Sequence, residues 1–598
     1  MKRSLPALVL LSSILSFVPR TFAAEKPWTE IRSSHFRVLT DGSITDARKV
    51  AYEFEQLRYV FANRFPNARL ESGAPLLVFA ARDEETAKAL EPRRWKSGAN
   101  RAGEFHHGWE KQYAIVRLDT WGGEGSKEVV YHEYTHTIEH LNLHYLPLWL
   151  DEGTAEFYAF TRFERNRIYL GAPTERYRTL RNRTPIPVET FISLNSRSPY
   201  YLDGSKNQLY YAEAWALVHF LIYGPGMENG KRLDQFLDLL QQGVEQKKAL
   251  QQVFGDFKSL DRRLDAYMQQ PTFTTTILKD FPKVDDKTFA VRTLSLAETE
   301  AELGCFHVWT HDWPGAHTLI EQALKDDPKL GLAHESMGFL DFAEGKDGEA
   351  EKEFSQAYAL DVHLYLSLFY KTMLSPLPRS ESVSDVNASG ATMGKVLQLN
   401  PDFAPAYVQL AKLAWRESDL GSALAISRKA EDLEPSLAGY HLLSGQILRR
   451  MGRTADAAVY AKFVADRWIG PDHDEAIELW NSIPAAWRAA TEVISEVAPK
   501  DIQAVEGKVK SIVCADKEQG WSFVLDHDGR SLTFHRKGGF VTGFSDTLWY
   551  GGDHFNTCHH LEGLRAIVYY HAPPDGSYAG DIAELEIRDD LPEPLQNP

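Results

Sequence analysis

The sequence predicts a multidomain α+β protein in three folded parts. A mixed α/β domain covers about 25–275, an all-helical repeat array about 288–485, and a small β-barrel about 500–598. Three observations predict this. Before residue 275, short apolar strand-like runs are interleaved with runs of helical spacing. Between 288 and 485, small residues recur 34 apart, as in Ala316 and Ala350, Ala323 and Ala357, and Ala423 and Ala457. After Pro499 strand patterns return with a hairpin signal at Asp526-His527-Asp528-Gly529. A chain of 598 residues has ample material for more than one core.

Residues 1–24 read as a secretory signal: Lys2 and Arg3, an apolar run from Leu5 to Val18, then Thr21-Phe22-Ala23-Ala24 as the cleavage region. The expected location is therefore outside the cytoplasm, periplasmic or extracellular, with no membrane span after cleavage. An uncleaved anchor is the alternative, although the run is short for a span. The net charge of −17 is spread without a basic block, which argues against a nucleic-acid partner. With three cysteines the protein does not rest on a disulfide framework. Cys514 and Cys558 fall in the same terminal part and could pair, leaving Cys305 as a buried free thiol.

The first lobe, 25–120, contains strand-like His35 to Thr40, Pro75 to Ala80 and Tyr113 to Leu118, with a helix from Ile44 to Asn63. Glu104, His106 and His107 precede the last strand; they could line the cleft, but solvated loop residues are the plainer reading. Gly122-Gly123-Glu124-Gly125 then leads into a helix near Ser126. It is no phosphate loop, because the Lys-Ser/Thr ending is missing.

That helix carries Val129-Val130-Tyr131-His132-Glu133-Tyr134-Thr135-His136. Four residues apart, His132 and His136 project from one face onto one point, where two imidazole nitrogens can share a zinc ion. Glu133 is the carboxylate placed to take a proton from water there. Catalytic zinc takes three protein ligands and keeps one open position, so one more ligand is needed. A metzincin-type histidine is excluded, because Glu139 and Asn142 stand where glycine and histidine would be required. His140 and His144 continue the ladder but sit too far along an axis rising ~1.5 Å per residue. Glu152, on a second helix after a loop containing Pro147, remains.

His132-Glu133-x-x-His136 followed by Trp149-Leu150-Asp151-Glu152-Gly153-Thr154-Ala155 resembles the gluzincin metallopeptidases. The resemblance implies that His132, His136 and Glu152 bind one zinc ion and that Glu133 is the general base. It implies for Glu156, one turn beyond Glu152, the carboxylate that orients a zinc histidine. A further segment, Tyr211-Ala212-Glu213-Ala214-Trp215-Ala216-Leu217, resembles the Y-x-x-G-x-A-L of the aminopeptidase branch. There the tyrosine hydrogen-bonds the oxyanion, a role that passes to Tyr211. Ala214 departs from the glycine, and Tyr210 is the rival tyrosine. The gluzincin upper lobe also implies an edge strand that pairs with extended substrate, expected here at Tyr113, Ala114, Ile115 and Val116. The aminopeptidase G-x-M-E-N segment is missing, which lowers the case for capture of a free amino terminus.

The rest of this domain, 121–275, reads as mostly helical, with a long loop from Gly171 to Ser205. A linker is expected from Pro271 to Lys287. In the array, Ala316, Ala323 and Pro328 fit one repeat, and Gly338, Ala350, Phe354 and Ala357 the next. Tyr407, Ala423, Ala430 and Pro435 fit a third, and Gly445 with Ala457 a fourth. These positions resemble tetratricopeptide repeats, in which small residues let paired helices approach and proline ends the second. Ser375 to Ser389 reads as an interruption. The resemblance implies a concave face that holds a peptide or protein partner. In the terminal part, His554, Cys558, His559 and His560 read as structural rather than metal-binding.

The expected function is an exported zinc metalloendopeptidase acting on a peptide or protein substrate. An interaction scaffold built on the repeats, with a relic zinc fold, and an aminopeptidase are the alternatives.

Overall fold

In the computed structural model the described residues are 26–92, 103–108, 110–121, 127–164, 167–173, 177, 180, 185–196, 198–202, 207–279, 284–374, 383–484, 488, 502–514, 521–527, 529–536, 541–544, 561–573 and 578–587. The signal segment and the His554 to His560 group, with Cys558 and its expected pairing, lie outside them. Among the described residues no helix is long and apolar enough to cross a membrane.

The first lobe is built from β1 (Thr29–Arg32), β2 (Arg37–Thr40), α1 (Ile44–Arg64), β3 (Leu76–Ala81), α2 (Glu84–Leu90), β4 (Gly103–His106) and β5 (Gln112–Arg117). Ser43 and Asp83 cap α1 and α2 by accepting from the backbone N–H three residues on. The second lobe holds α3 (Glu128–His140), α4 (Leu148–Ala159), β6 (Arg162–Glu164), β7 (Arg167–Leu170), α5 (Val188–Phe191), α6 (Pro199–Leu202), α7 (Asn207–Tyr223), α8 (Lys231–Gln241), α9 (Gln246–Phe254), α10 (Phe257–Met268) and β8 (Thr276–Lys279). The chain then returns to the first sheet as β9 (Ala290–Thr293).

The main sheet runs β4-β5-β3-β2-β1-β9. This corrects two expectations. First, β5 is an inner strand, parallel to β3 on one side and antiparallel to β4 on the other. Tyr113, Ala114, Ile115 and Val116 are therefore buried and not an edge rail; β4 holds the edge. Four residues reading Gly-Glu-Phe-His are too few and too polar for strand periodicity to reveal. Second, the expected linker is partly woven into sheets, β8 pairing with β7 and, just beyond it, β9 with β1. Backbone pairing needs no apolar side chains, and every β9 residue is exposed.

The array comprises α11 (Leu296–Trp309), α12 (Trp313–Asp326), α13 (Gly331–Ala343), α14 (Asp347–Leu360), α15 (Tyr365–Leu374), α16 (Val383–Leu399), α17 (Ala404–Arg416), α18 (Leu420–Leu433), α19 (Ala438–Arg450), α20 (Thr454–Ala465) and α21 (Pro471–Asn481). The small residues do what their spacing predicts. A Cβ on Gly338 would come within 2.8 Å of the Phe354 ring, and one on Gly445 within 2.9 Å of Leu479 and 3.1 Å of Tyr460. Of the predicted interruption, 375–382 lies outside the described residues, and α16 begins at Val383.

The first helices of the pairs turn toward the N-terminal domain. Phe306 of α11 packs on Phe79 and Tyr113, and the Tyr113 hydroxyl lies 3.4 Å from Cys305 Sγ. Cys305 is the buried free thiol that was expected. Lys111 Nζ donates to Glu335 Oε1 of α13 at 2.9 Å, and Tyr370 of α15 donates to Glu110. Helices α11, α13 and α15 thus already hold part of the same chain.

Glu110 at this junction is buried, and burial pushes its carboxyl up to about 8, against the pull of the Tyr370 hydrogen bond and Lys111. A buried acid with a raised pKa stabilises the fold fully below the ordinary carboxyl range, and that contribution is lost as pH climbs toward 8. The loss is about 1.4 kcal/mol per pH unit while only the unfolded chain is ionised. Glu110→Gln should flatten this slope. Urea unfolding at pH 5 and pH 8 should show a smaller pH difference in the variant than in the parent.

The terminal part forms a six-stranded sheet from β10 (Ile502–Cys514), β11 (Trp521–His527), β12 (Arg530–Arg536), β13 (Val541–Phe544), β14 (Arg565–His571) and β15 (Gly580–Ile587). The sheet curls until β12 pairs with β15, around a core that includes Phe523, Leu525, Phe534 and Val568.

Candidate metal centre

Helix α3 presents two chemically different faces. Val130, Tyr131, Tyr134 and Ile138 are buried, and Tyr134 meets the rings of Phe54 and Phe61 on α1. Tyr131 donates to Glu53 Oε2 at 3.0 Å, and Lys127 pairs with the same carboxylate at 2.7 Å. So the apolar face and one half-buried ion pair fix the helix, and its polar face points the other way. Helix α4 brings the second set of groups. It approaches α7 so closely that a Cβ on Gly153 would stand 2.5 Å from Val218 Cγ2 and 2.6 Å from the Ala214 carbonyl oxygen. Glycine at 153 is what allows the neighbouring Glu152 to lie against α3.

Three donor atoms converge. His132 Nε2 is 3.0 Å from His136 Nε2 and 3.1 Å from Glu152 Oε2, and His136 Nε2 is 3.5 Å from the same oxygen. Donors held ~2.0–2.1 Å from a tetrahedral zinc ion stand ~3.3 Å from one another, so this triangle has the size the ion needs. The outward nitrogens are also engaged: His132 Nδ1 lies 3.3 Å from Glu156 Oε1 and His136 Nδ1 2.9 Å from Asp151 Oδ1. Carboxylates on both Nδ1 positions hold the proton there and leave each Nε2 lone pair facing the centre. The residues present fit a divalent metal ion.

The electrostatics follow from the same contacts. Burial alone would push Glu152 up, but hydrogen bonds from His132 and His136 hold it down at about 2. Burial would lower His132, yet Glu152 and Glu156 raise it to about 9. His136 is raised well above its ordinary value, burial being outweighed by Asp151 and Glu152. The carboxylates around the pair therefore favour a positive charge between them, a proton or, in its place, a metal ion whose binding releases that proton.

Glu133 points into the same region with its side chain 31% exposed, against 12% for His132 and 6% for Glu152. It is the member that solvent reaches most easily. His107 Nε2 sits 3.2 Å from Glu133 Oε2. From α7, Tyr211 lies with its ring 6.0 Å from that of His132. Its rival Tyr210 is fully buried, packed on Phe191. His140 and His144 lie outside the triangle. His140 approaches Asp151 at 3.2 Å, and the His144 ring lies tilted against His441, 5.5 Å between ring centres.

Three residues of the site escape the sequence reading. Asp151 is adjacent to Glu152 and could have been found by asking what faces His136 on α4. His107 follows the short β4. Tyr201, whose hydroxyl donates to Glu152 Oε1 at 2.8 Å, comes from the Gly171 to Ser205 loop, where length and a richness in Arg and Tyr were the signals.

No protein-family model and no curated protein matches this chain. Solved structures similar to it are tetratricopeptide-repeat proteins. One, from Thermus thermophilus, is 16% identical, with a TM-score of 0.26, covering 31% of this chain and 98% of that one. PilW, described as a type IV pilus biogenesis factor, is 18% identical, with a TM-score of 0.27 and coverage of 33% and 94%. YrrB, described as having an unusual peptide-binding site, is 16% identical, with a TM-score of 0.25 and coverage of 30% and 90%.

Proposed function

We propose that this chain is an exported zinc-dependent endopeptidase of the gluzincin kind, with His132, His136 and Glu152 as the metal ligands. The observation that supports it best is the triangle of Nε2, Nε2 and carboxylate oxygen, backed on both imidazoles by carboxylates and flanked by Glu133. When bound there, zinc would supply Lewis acidity to a substrate carbonyl and acidify water. Glu133 accepts the proton of the attacking water and passes it to the departing amine. Tyr211 donates a hydrogen bond to the oxyanion as charge develops, an interaction worth most in the transition state. Glu156 and Asp151 keep the imidazoles oriented, and Tyr201 fixes the Glu152 carboxylate. Extended substrate would add to the edge of β4, whose strand leads directly to His107 beside Glu133. The export assignment rests on residues 1–24.

A second reading, an interaction protein in which the repeats do the work, is favoured by the array itself, since stacked helical pairs offer extended binding faces. An assay separates the two. Full-length protein loaded with zinc should cleave casein, lose that activity to a chelator and regain it with added zinc. It should leave single aminoacyl amides intact, whose cleavage would indicate an aminopeptidase. Protein that neither retains zinc nor cleaves casein would leave the scaffold reading standing.

A further inference from the structure

The loop that joins the two halves of the metal centre, Leu141 to Pro147, lies between α3 and α4. Whatever fixes this loop sets how the histidine pair meets Glu152. It is gripped on one side by its own domain: the His144 N–H donates to Gln241 Oε1 at 3.0 Å, and Gln241 Nε2 donates to the Tyr145 carbonyl at 3.2 Å. On the other side it meets the far end of the repeat array. The His144 ring lies 5.5 Å from His441 and 6.3 Å from Phe463, and Tyr145 lies 5.7 Å from Trp468. Arg467 sits over the Tyr145 ring at 5.8 Å.

A second line of contacts runs parallel to the first. Asn142, just past the end of α3, donates to the Ile138 carbonyl at 2.7 Å and to the Arg69 carbonyl at 2.8 Å, and accepts from the Arg69 N–H at 2.7 Å. The Arg69 guanidinium in turn donates to the carbonyls of Asp432 and Leu433 at the end of α18. Next to it, the Gly73 carbonyl accepts from Asn400 Nδ2 at 2.7 Å and from the Tyr365 hydroxyl at 3.3 Å. The backbones are so close that a Cβ on Gly73 would lie 2.2 Å from the Asp402 carbonyl oxygen.

We propose that the face of the array that includes His441 and Trp468 is a docking surface for this chain's own 141–146 loop, and that His144 and Tyr145 are positioning residues for the metal ligands. The proposal rests on the metal reading of His132, His136 and Glu152. An array used this way acts within its own chain, and a peptide seeking the same face would have to displace the loop.

The test uses full-length protein carrying Tyr145→Ser or Trp468→Leu, with Val459→Ala on the exposed side of α20 as control. Metal affinity is read by zinc competition, and ligand geometry by the visible absorption of the cobalt-loaded protein. Tyr145→Ser and Trp468→Leu should each weaken zinc about 10- to 100-fold, the range found when partners that orient ligands are removed. Both should also shift the cobalt bands, while Val459→Ala changes neither. If a variant unfolds, as judged by circular dichroism, His144→Ala takes its place. Parent-like affinity and cobalt bands in the folded loop and array variants would overturn the proposal. A parent protein that binds neither metal would instead overturn the metal reading on which it rests.

Discussion

Glu133→Gln should remove peptide hydrolysis and leave the metal content at one ion per chain. Glutamine keeps the shape of the side chain and its place beside His107, 3.2 Å away, but it cannot take up a proton. General-base catalysis alone contributes about 10²- to 10⁴-fold, so kcat/KM on casein-derived peptides should fall at least that far. Zinc should remain, because Glu133 contributes no atom to the triangle of donors. The measurements are kcat/KM and metal content on one preparation. Turnover near the parent value would remove Glu133 from the mechanism.

Glu152→Ala should lose the metal altogether under the same conditions. The carboxylate oxygen closes both open edges of the triangle, at 3.1 and 3.5 Å, and among the described residues no other acid takes part in that donor group. Two imidazoles alone leave a metal half-coordinated and exchangeable. The affinity loss should exceed the ~100-fold typical of removing a group that only orients a ligand. Glu152→Asp keeps the charge but shortens the reach, so partial binding is expected. Full occupancy in the alanine variant would mean that another group supplies the third ligand.

The candidate site is legible in the sequence where spacing along one helix carries the geometry, as with His132 and His136. Glu152 and Glu156 were reachable because one motif places both on the next helix. Asp151 shares that helix and could have been placed opposite His136 in the same way. The partners of His107 and Tyr201 were not legible, since each meets its target across a turn or loop whose path only tertiary packing decides. The same holds for β4, whose four residues become a strand because β5 is there to pair with, not through propensity of their own. In the array, Gly338 and Gly445 were readable from their interval. The folding of that array back onto the N-terminal domain was not, because contacts such as Lys111 with Glu335 link side chains far apart in sequence and leave no periodic trace.

The return of the chain as β9 has a practical outcome for anyone dividing this protein into fragments. A piece cut at residue 275, the apparent end of the N-terminal domain, would strip β1 of its β9 neighbour along the whole of Thr29 to Arg32. Bare strand borders recruit one another and drive aggregation. A soluble fragment holding the N-terminal domain therefore has to extend through Thr293, where α11 and the repeats are only a few residues away.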